Sequence, residues 1–183
     1  MKLKKGINYF FQEIIIVVIG VVIAVSIGDY KERIDDEKYI ETTLSAIENE
    51  IKSSQSSVDE ILLRHNNLLD SIESHLDESD LPLGQMVADF GGVQFPVIKN
   101  VSLRFFISNK AELVEFKTIS QLLEIEDNTN LLSDKMGRLA DFAYNRLNDS
   151  EKDAKIIFAY MLSDVIDSEQ TLLELYDGLL EKP

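Results

Sequence analysis

Cysteine and tryptophan are absent from this 183-residue chain, and histidine occurs only twice. Without cysteine there can be no disulfide, no thiolate zinc site, no cysteine nucleophile and no lipidated N-terminal cysteine. Proline is also scarce, and the first of the three stands at position 82. Because proline is a strong helix breaker, little in the first part of the chain would interrupt a helix.

Positive charge is in short supply as well. The 33 acidic residues outnumber the 18 basic ones, and the net charge is −15. Residues 1–28 contain Lys2, Lys4, Lys5 and Glu13, so the remainder has a net charge of −17. Such a chain is repelled by nucleic acid and by an anionic bilayer surface. We interpret the excess of acidic residues as a means of keeping the domain soluble. The alternative is that it binds a basic or metal-rich partner.

A single long apolar run stands near the N-terminus. Residues 14–27 carry no charge, and residues 9–28 supply the length of about 20 residues that a helix needs to cross a bilayer. We therefore predict a basic tail over residues 1–8 and a transmembrane helix over 9–28. Tyr9, Phe10 and Phe11 would form its interfacial belt.

A cleaved signal peptide is the alternative to this anchor. The uninterrupted run is short, and Ala24-Val25-Ser26 resembles a cleavage site, but Glu13 stands where a signal peptide favours positive charge. The orientation depends on the flanking charges. Lys2, Lys4 and Lys5 before the span equal in number Lys31, Arg33 and Lys38 after it, but only the second segment is rich in acids. This favours an inner-membrane protein with a cytoplasmic N-terminus and a periplasmic or other extracytoplasmic domain.

One face of the predicted span contains small residues. Gly20, Ala24 and Gly28 recur every four residues, a spacing that allows close helix packing in lipid, and Glu13 and Val17 project onto nearly the same face. A charged side chain in lipid is costly unless another helix shields it. The pattern predicts a face for self-association or for a partner helix. Chance occurrence of small residues, with Glu13 at the headgroups, is the alternative.

A long amphipathic, coiled-coil-like helix is predicted over residues 29–77. Its apolar seam has spacings of three and four, with Ser54 and His65 at seam positions and a serine-rich weak point at residues 53–57. Packing of the seam within the chain and pairing with a second copy are both open. The seam consists of Ile40, Leu44, Ile47, Ile51, Val58, Ile61, Leu68 and Ile72.

Residues 78–108 contain three glycines and two prolines and are predicted to connect the long helix to a helical bundle over residues 109–183. Alternation at Val101, Leu103 and Phe105 indicates a short strand, which could pair with residues 93–98 as a β-hairpin. In the bundle, we expect one helix to open at an Asn109/Glu112 capping box and to end in the polar stretch 126–130. A second helix would cover 131–147, and a third would start at Ser150 with Asp153.

No constellation of side chains predicts catalysis, a cofactor or a bound metal. His65 and His75 are ten residues apart on one predicted helix and point in different directions. The acids Asp77, Glu78 and Asp80, and likewise Glu124, Glu126 and Asp127, do not match a calcium loop. The glycine-rich phosphate-binding motifs and the G-x-S-x-G nucleophile motif are absent from the sequence. We therefore do not expect an enzyme.

The junction EIIIVVIGVVIAVSIGDYKER, residues 13–33, resembles the start of an uncharacterised bacterial family of short, single-span, membrane-anchored helical proteins. Phe95-Pro96 and the segments 109–125 and 131–142 are similar to its downstream elements. The chain departs from the family pattern at Asp29-Tyr30, where a tryptophan is common, and at Ser120-Gln121, where a glycine pair is expected. The resemblance implies an anchored helical protein without implying a reaction or cofactor.

Two functions are compatible with these patterns. The first is a membrane-anchored structural or interaction protein, a scaffold or accessory subunit that forms a homo-oligomer or joins a membrane complex through helix contacts. The second is an extracytoplasmic, sensor-like helical bundle that recognises a small cation or basic ligand through its acidic surface.

Overall fold

The computed structural model describes the backbone of residues 3–181, and the side chains of residues 13–181 except Glu112. Within that range the chain forms five α-helices and no strand, which confirms the predicted mainly α class. The helices are α1 (Leu3–Ser74), α2 (Leu83–Asp89), α3 (Val101–Lys110), α4 (Phe116–Asn145) and α5 (Lys152–Leu180), and a 3-10 turn (Ala111–Leu113) follows α3.

The chain divides into two compact units, Met1–Thr43 and Leu44–Pro183, and the division falls within α1. In the first unit the apolar side chains of residues 14–27 are exposed, from 41% for Ile14 to 65% for Ile16. This part of α1 is the one stretch of the described chain that is long and apolar enough to cross a membrane. The predicted tail and the aromatic belt at Tyr9, Phe10 and Phe11 lie outside the described side chains.

The second unit is a bundle built from residues 44–74 of α1 together with α4 and α5. Gln55 contacts Asp177, His65 contacts Glu169, and His75 contacts Lys155, so α5 runs antiparallel to α1. The short connection between α4 and α5 makes that pair antiparallel as well. Burial follows helical spacing on α4 and α5, with a core that includes Leu122, Leu132, Leu139, Phe158, Leu162 and Val165.

The apolar seam of α1 supplies the third wall of this core. Ile47, Ile51, Val58, Ile61, Leu68 and Ile72 are all buried, whereas Ile40 and Leu44 are half-buried. From Ile47 onward the seam is buried within its own chain, as internal packing requires. The serine-rich stretch 53–57 does not interrupt the helix, and α1 ends at Ser74 instead of residue 77.

The connection between α2 and α4 differs from the prediction. Val101–Lys110 is helix α3 with Leu103 and Phe106 buried, so the predicted strand at Val101, Leu103 and Phe105, and with it the hairpin, is wrong. A spacing of three between the buried residues fits a helix, and three alternating residues were too few to distinguish the two periods. Residues 93–100 form an extended segment, which we call the strap, after the positive-φ turn at Gly91 and Gly92.

Three other predicted boundaries are corrected. The polar stretch 126–130 does not end a helix, because α4 continues from Phe116 to Asn145 and its buried positions Ile125, Thr129 and Leu132 keep their spacing through it. Asn109 lies inside α3, so the capping box with Glu112 does not open a helix. Helix α5 begins at Lys152 with Glu151 at the N-cap and without a side-chain cap, although Asp149 Oδ1 accepts a hydrogen bond from the Glu151 amide.

Candidate functional site

The predicted packing face of the span is fully accessible in the first unit. Glu13, Val17, Gly20, Ala24 and Gly28 are all helical and exposed. A methyl group added at Gly20 or at Gly28 would meet nothing within 4 Å beyond the backbone of its own helix, so no described residue covers the face at these points. The structure thus leaves open the space into which another helix could pack, and it supplies no occupant.

The second unit contains a buried polar cluster around His65. The side chains of His65 and Glu169 are only 2% and 0% exposed. His65 Nδ1 lies 3.0 Å from Glu169 Oε1 and 3.1 Å from Oε2, and His65 Nε2 lies 3.1 Å from the carbonyl oxygen of Gln94 in the strap. One imidazole ring therefore joins α1, α5 and the strap in the middle of the bundle.

The hydrogen-bond partners determine how many protons this cluster holds. The Gln94 carbonyl can only accept, so Nε2 carries a hydrogen and donates it. Nδ1 faces a carboxylate, and the contact requires a further proton, carried by the ring or by Glu169. A single proton cannot satisfy both carboxylate oxygens, and Oε1 has no hydrogen-bond partner among the described residues. Removing either side chain would leave a buried polar group without its partner.

A second polar layer contains Ser54, Thr129 and Tyr176. Ser54 Oγ donates to the Glu50 carbonyl at 2.8 Å and accepts from the Lys99 amide at 2.8 Å, which fixes the strap to α1. Burial raises the pKa of the Tyr176 phenol, while the neighbouring side chains of Thr129 and Ser54 act in the opposite direction. The contact between Tyr176 and Thr129 lacks good hydrogen-bond geometry, since Thr129 Oγ1 has no satisfied bond in the described part of the chain.

A buried lysine closes the far end of α1. Lys155 is fully buried, and its Nζ donates to the carbonyl oxygens of His75 at 2.9 Å and Glu78 at 2.6 Å. These carbonyls follow the last turn of α1, where the helix dipole favours a positive charge. Lys155 is thus a capping residue by its contacts, and its ammonium group has no access to solvent for chemistry.

The acidic clusters singled out in the sequence make ordinary surface contacts. Asp77 accepts a hydrogen bond from Lys152 Nζ at 2.6 Å, and this contact lowers the pKa of the Asp77 carboxyl. Glu126 pairs with Arg104 at 3.3 Å. No group of three or more histidine, aspartate and glutamate side chains among the described residues is arranged to hold a metal ion.

Sequence reasoning placed His65 at a seam position, and the burial of its side chain agrees with that position. It missed Glu169, the Gln94 carbonyl and Lys155. Glu169 is 104 residues from His65, and nothing in its local sequence separates it from the other acids of the chain. The one sequence signal for the burial of Glu169 was its position on the apolar face of α5, where Val165, Ile166 and Leu172 are also buried.

Comparison with known proteins found no matching family model, no similar curated protein and no similar solved structure. The function must therefore be argued from the geometry of the two units.

Proposed function

We propose that this chain is a membrane-anchored structural or interaction protein, a scaffold or accessory subunit that works through contacts between helices. The observation that carries the proposal is the exposed apolar part of α1. No apolar side chain of residues 14–27 is buried by the described residues, and such a length of exposed apolar helix is stable only in a bilayer or against other helices. The face at Gly20, Ala24 and Gly28 is the part on which a second backbone can approach most closely.

The bundle supports the same proposal by what its interior contains. The seam of α1 from Ile47 to Ile72 is used inside the bundle, so it is not available for a second chain. Self-association of the anchor then depends on the span. The buried His65, Glu169 and Lys155 side chains are each held by internal partners, and their contacts account for them as parts of the fold. These observations favour a folded bundle that is attached to the membrane by the apolar part of α1.

The proposed location is the inner membrane, with the N-terminus in the cytoplasm and the bundle outside it. The acid-free basic segment before the span and the acid-rich segment after it support this orientation. The alternative function, recognition of a small cation or basic ligand by the acidic surface, is supported by net charge alone, because the described residues form no metal-ligating group.

The test compares two paired substitutions in the full-length protein. Gly20→Leu with Ala24→Leu fills the small-residue face, whereas Val22→Leu with Ser26→Leu adds bulk about 180° away on the same helix. In mild detergent we expect the wild type and the control to form one discrete oligomer, measured by sedimentation at several detergent ratios. The Gly20/Ala24 variant should dissociate at concentrations about tenfold higher.

A wild-type protein that sediments as a monomer at every ratio, and copurifies with no other membrane protein, would refute the proposal. Equal dissociation of the two variants would show that the small-residue face is not the contact surface.

A further inference from the structure

The outward face of the strap and α3 combines exposed apolar side chains with basic ones. Val97 and Val101 are 65% and 75% exposed, and Phe95 and Phe105 are 48% and 57% exposed. Lys99 and Arg104 lie between them in the chain and are also exposed. We call this set of six residues, Phe95, Val97, Lys99, Val101, Arg104 and Phe105, the basic apolar surface.

These residues lie on one side of the bundle. The strap is bonded to α1 through Ser57 Oγ, which accepts from the Val97 amide at 2.8 Å, and through Ser54 and His65. A cleft of 270 Å³ separates it from α4. Helix α3 continues along the same pair of helices, because Glu50 of α1 accepts hydrogen bonds from Ser102 and Arg104 pairs with Glu126 of α4. Since Leu103 and Phe106 face the core, Val101 and Phe105 face away from it.

Charge distinguishes this part of the bundle from the remainder. Residues 90–120 contain Lys99, Arg104, Lys110 and Lys117 against Glu112 and Glu115, a net charge of +2. The other residues of the 44–183 unit have a net charge of −16. Exposed aromatic and aliphatic side chains beside a guanidinium group are typical of protein interfaces, and a contiguous apolar patch on a soluble surface usually marks a binding site.

We infer that the basic apolar surface binds an acidic amphipathic segment of another protein. This inference rests on the proposed function and names the chemistry of its partner. Apolar side chains of that segment would cover Val97, Val101 and Phe105, and its carboxylates would lie against Lys99 and Arg104. A bilayer surface fits less well, because polybasic lipid-binding segments contain about four to eight adjacent basic residues, whereas this surface contributes only Lys99 and Arg104.

The hydrogen bonds beneath the strap make this surface rigid before it binds. Three inward bonds, from the Val97 and Lys99 amides and to the Gln94 carbonyl, hold the backbone of the strap, and a fourth, from the Ser102 amide to Glu50, holds the start of α3. A preformed surface loses less conformational entropy when a partner binds.

The experiment uses the full chain in nanodiscs of zwitterionic lipid and two synthetic amphipathic helical peptides. One peptide is built from leucine and glutamate, and the other from leucine and lysine. Isothermal titration should give a dissociation constant for the acidic peptide at least about tenfold lower than for the basic one. Phe95→Ser with Phe105→Ser should weaken acidic-peptide binding by about tenfold or more, and Lys99→Glu with Arg104→Glu should reverse the preference.

The matched control is Tyr144→Ser with Tyr160→Ser, which removes two aromatic rings that are 77% and 75% exposed elsewhere on the bundle. It should bind like the wild type. Equal affinity for both peptides, or wild-type binding by the Phe95/Phe105 variant, would overturn the inference. If the same variants instead abolished binding to phosphatidylglycerol vesicles while the acidic peptide did not bind, the surface would be a lipid contact and the protein-partner assignment would be wrong.

These outcomes are separable from those of the span. Peptide binding that depends on the basic apolar surface would stand even if the Gly20/Ala24 variant assembled normally, and loss of assembly through the span would not alter the peptide preference.

Discussion

Residues 14–27 and residues 47–72 belong to the same helix, α1, but their apolar side chains have opposite surroundings. In the first segment every isoleucine and valine is at least 41% exposed. In the second, six apolar seam residues are at most 8% exposed, and the polar Ser54 and His65 on the same face are buried with them. Apolar content alone therefore does not separate a span from a core helix. The difference lies in periodicity, because the first segment is apolar on all sides and the second on one face only.

The two segments also differ in how single changes should act. A side chain in the bundle has internal partners, so its replacement is felt by the whole unit. A side chain of residues 14–27 is not buried by any described residue, so its replacement should affect only contacts with lipid or with another helix. The following predictions test that difference, from the largest expected effect to the smallest.

The largest effect is expected from Glu169→Leu. The substitution leaves His65 Nδ1, on a ring that is only 2% exposed, without its hydrogen-bond partner, and breaking a buried pair in this way costs about 3–5 kcal/mol. Urea unfolding of the detergent-solubilised protein, followed by the near-ultraviolet circular dichroism of its tyrosines, should show the bundle destabilised by that amount. Helical signal from the micelle-bound span should persist after the bundle has unfolded.

Gln170→Leu is the control for this change, because position 170 is adjacent and exposed. It should alter the free energy of unfolding by less than about 0.5 kcal/mol. The double variant His65→Leu with Glu169→Leu should lose less stability than Glu169→Leu alone, since it leaves only the Gln94 carbonyl unpaired. A loss below about 1 kcal/mol for Glu169→Leu would show that the pair is not held as the structure describes.

An intermediate effect is expected from adding one methyl group to a glycine of each unit. At Gly84 an added Cβ would lie 2.5 Å from the backbone oxygen of Leu147, and that backbone cannot easily shift because the Gly84 amide already donates to the same oxygen at 2.8 Å. Gly84→Ala should therefore destabilise the bundle by about 1–3 kcal/mol. Gly20→Ala, where the added group meets nothing within 4 Å, should leave bundle stability unchanged.

Gly137→Ala serves as the matched change inside the bundle. Gly137 lies in the interior of α4 with open space around its Cβ position, so alanine should stabilise by about 0.5–1 kcal/mol through helix propensity. The three variants are compared by urea midpoint. Equal midpoints for Gly84→Ala and Gly137→Ala would contradict the close approach of α2 to the α4–α5 connection.

The sequence predicts elements with a long, regular pattern better than short elements whose structure depends on tertiary contacts. The seam of α1 was predictable, because helical periodicity over many turns is a local property that packing reinforces. The strap and α3 were not, because the short apolar segment contains both an alternation at Val101, Leu103 and Phe105 and a helical spacing at Leu103 and Phe106. Tertiary contacts, such as that with Glu50, accompany the helical choice. Helix α4 continues through residues 126–130 because Thr129 keeps the helical spacing of its buried face. The polar composition of that stretch gave no sign of this spacing.

The candidate sites show a similar division. The spacing of Gly20, Ala24 and Gly28 predicts a packing face, which stays a prediction because all sides of this part of α1 are exposed. Its occupant cannot be predicted from one chain. The partner of His65 is set by tertiary packing that brings residues 65 and 169 together. The basic apolar surface was also missed, because it exists only once the strap places alternate side chains outward.

The smallest effect on stability is expected from the titration of Tyr176, a buried polar side chain of α5. Residues 14–27 contain no such group. Burial raises the pKa of the Tyr176 phenol above its usual value of about 10. Above pH 10 the unfolded chain therefore releases this proton while the folded chain retains it, so the stability contributed by the neutral phenol is present below pH 10 and declines as the pH rises further. Tyr176→Phe should reduce the loss of stability between about pH 9 and pH 11, whereas Tyr144→Phe, at a 77% exposed position, should not. Urea midpoints measured across this range for both variants would decide the matter, and identical slopes would mean that the phenol is reached by solvent in the folded bundle.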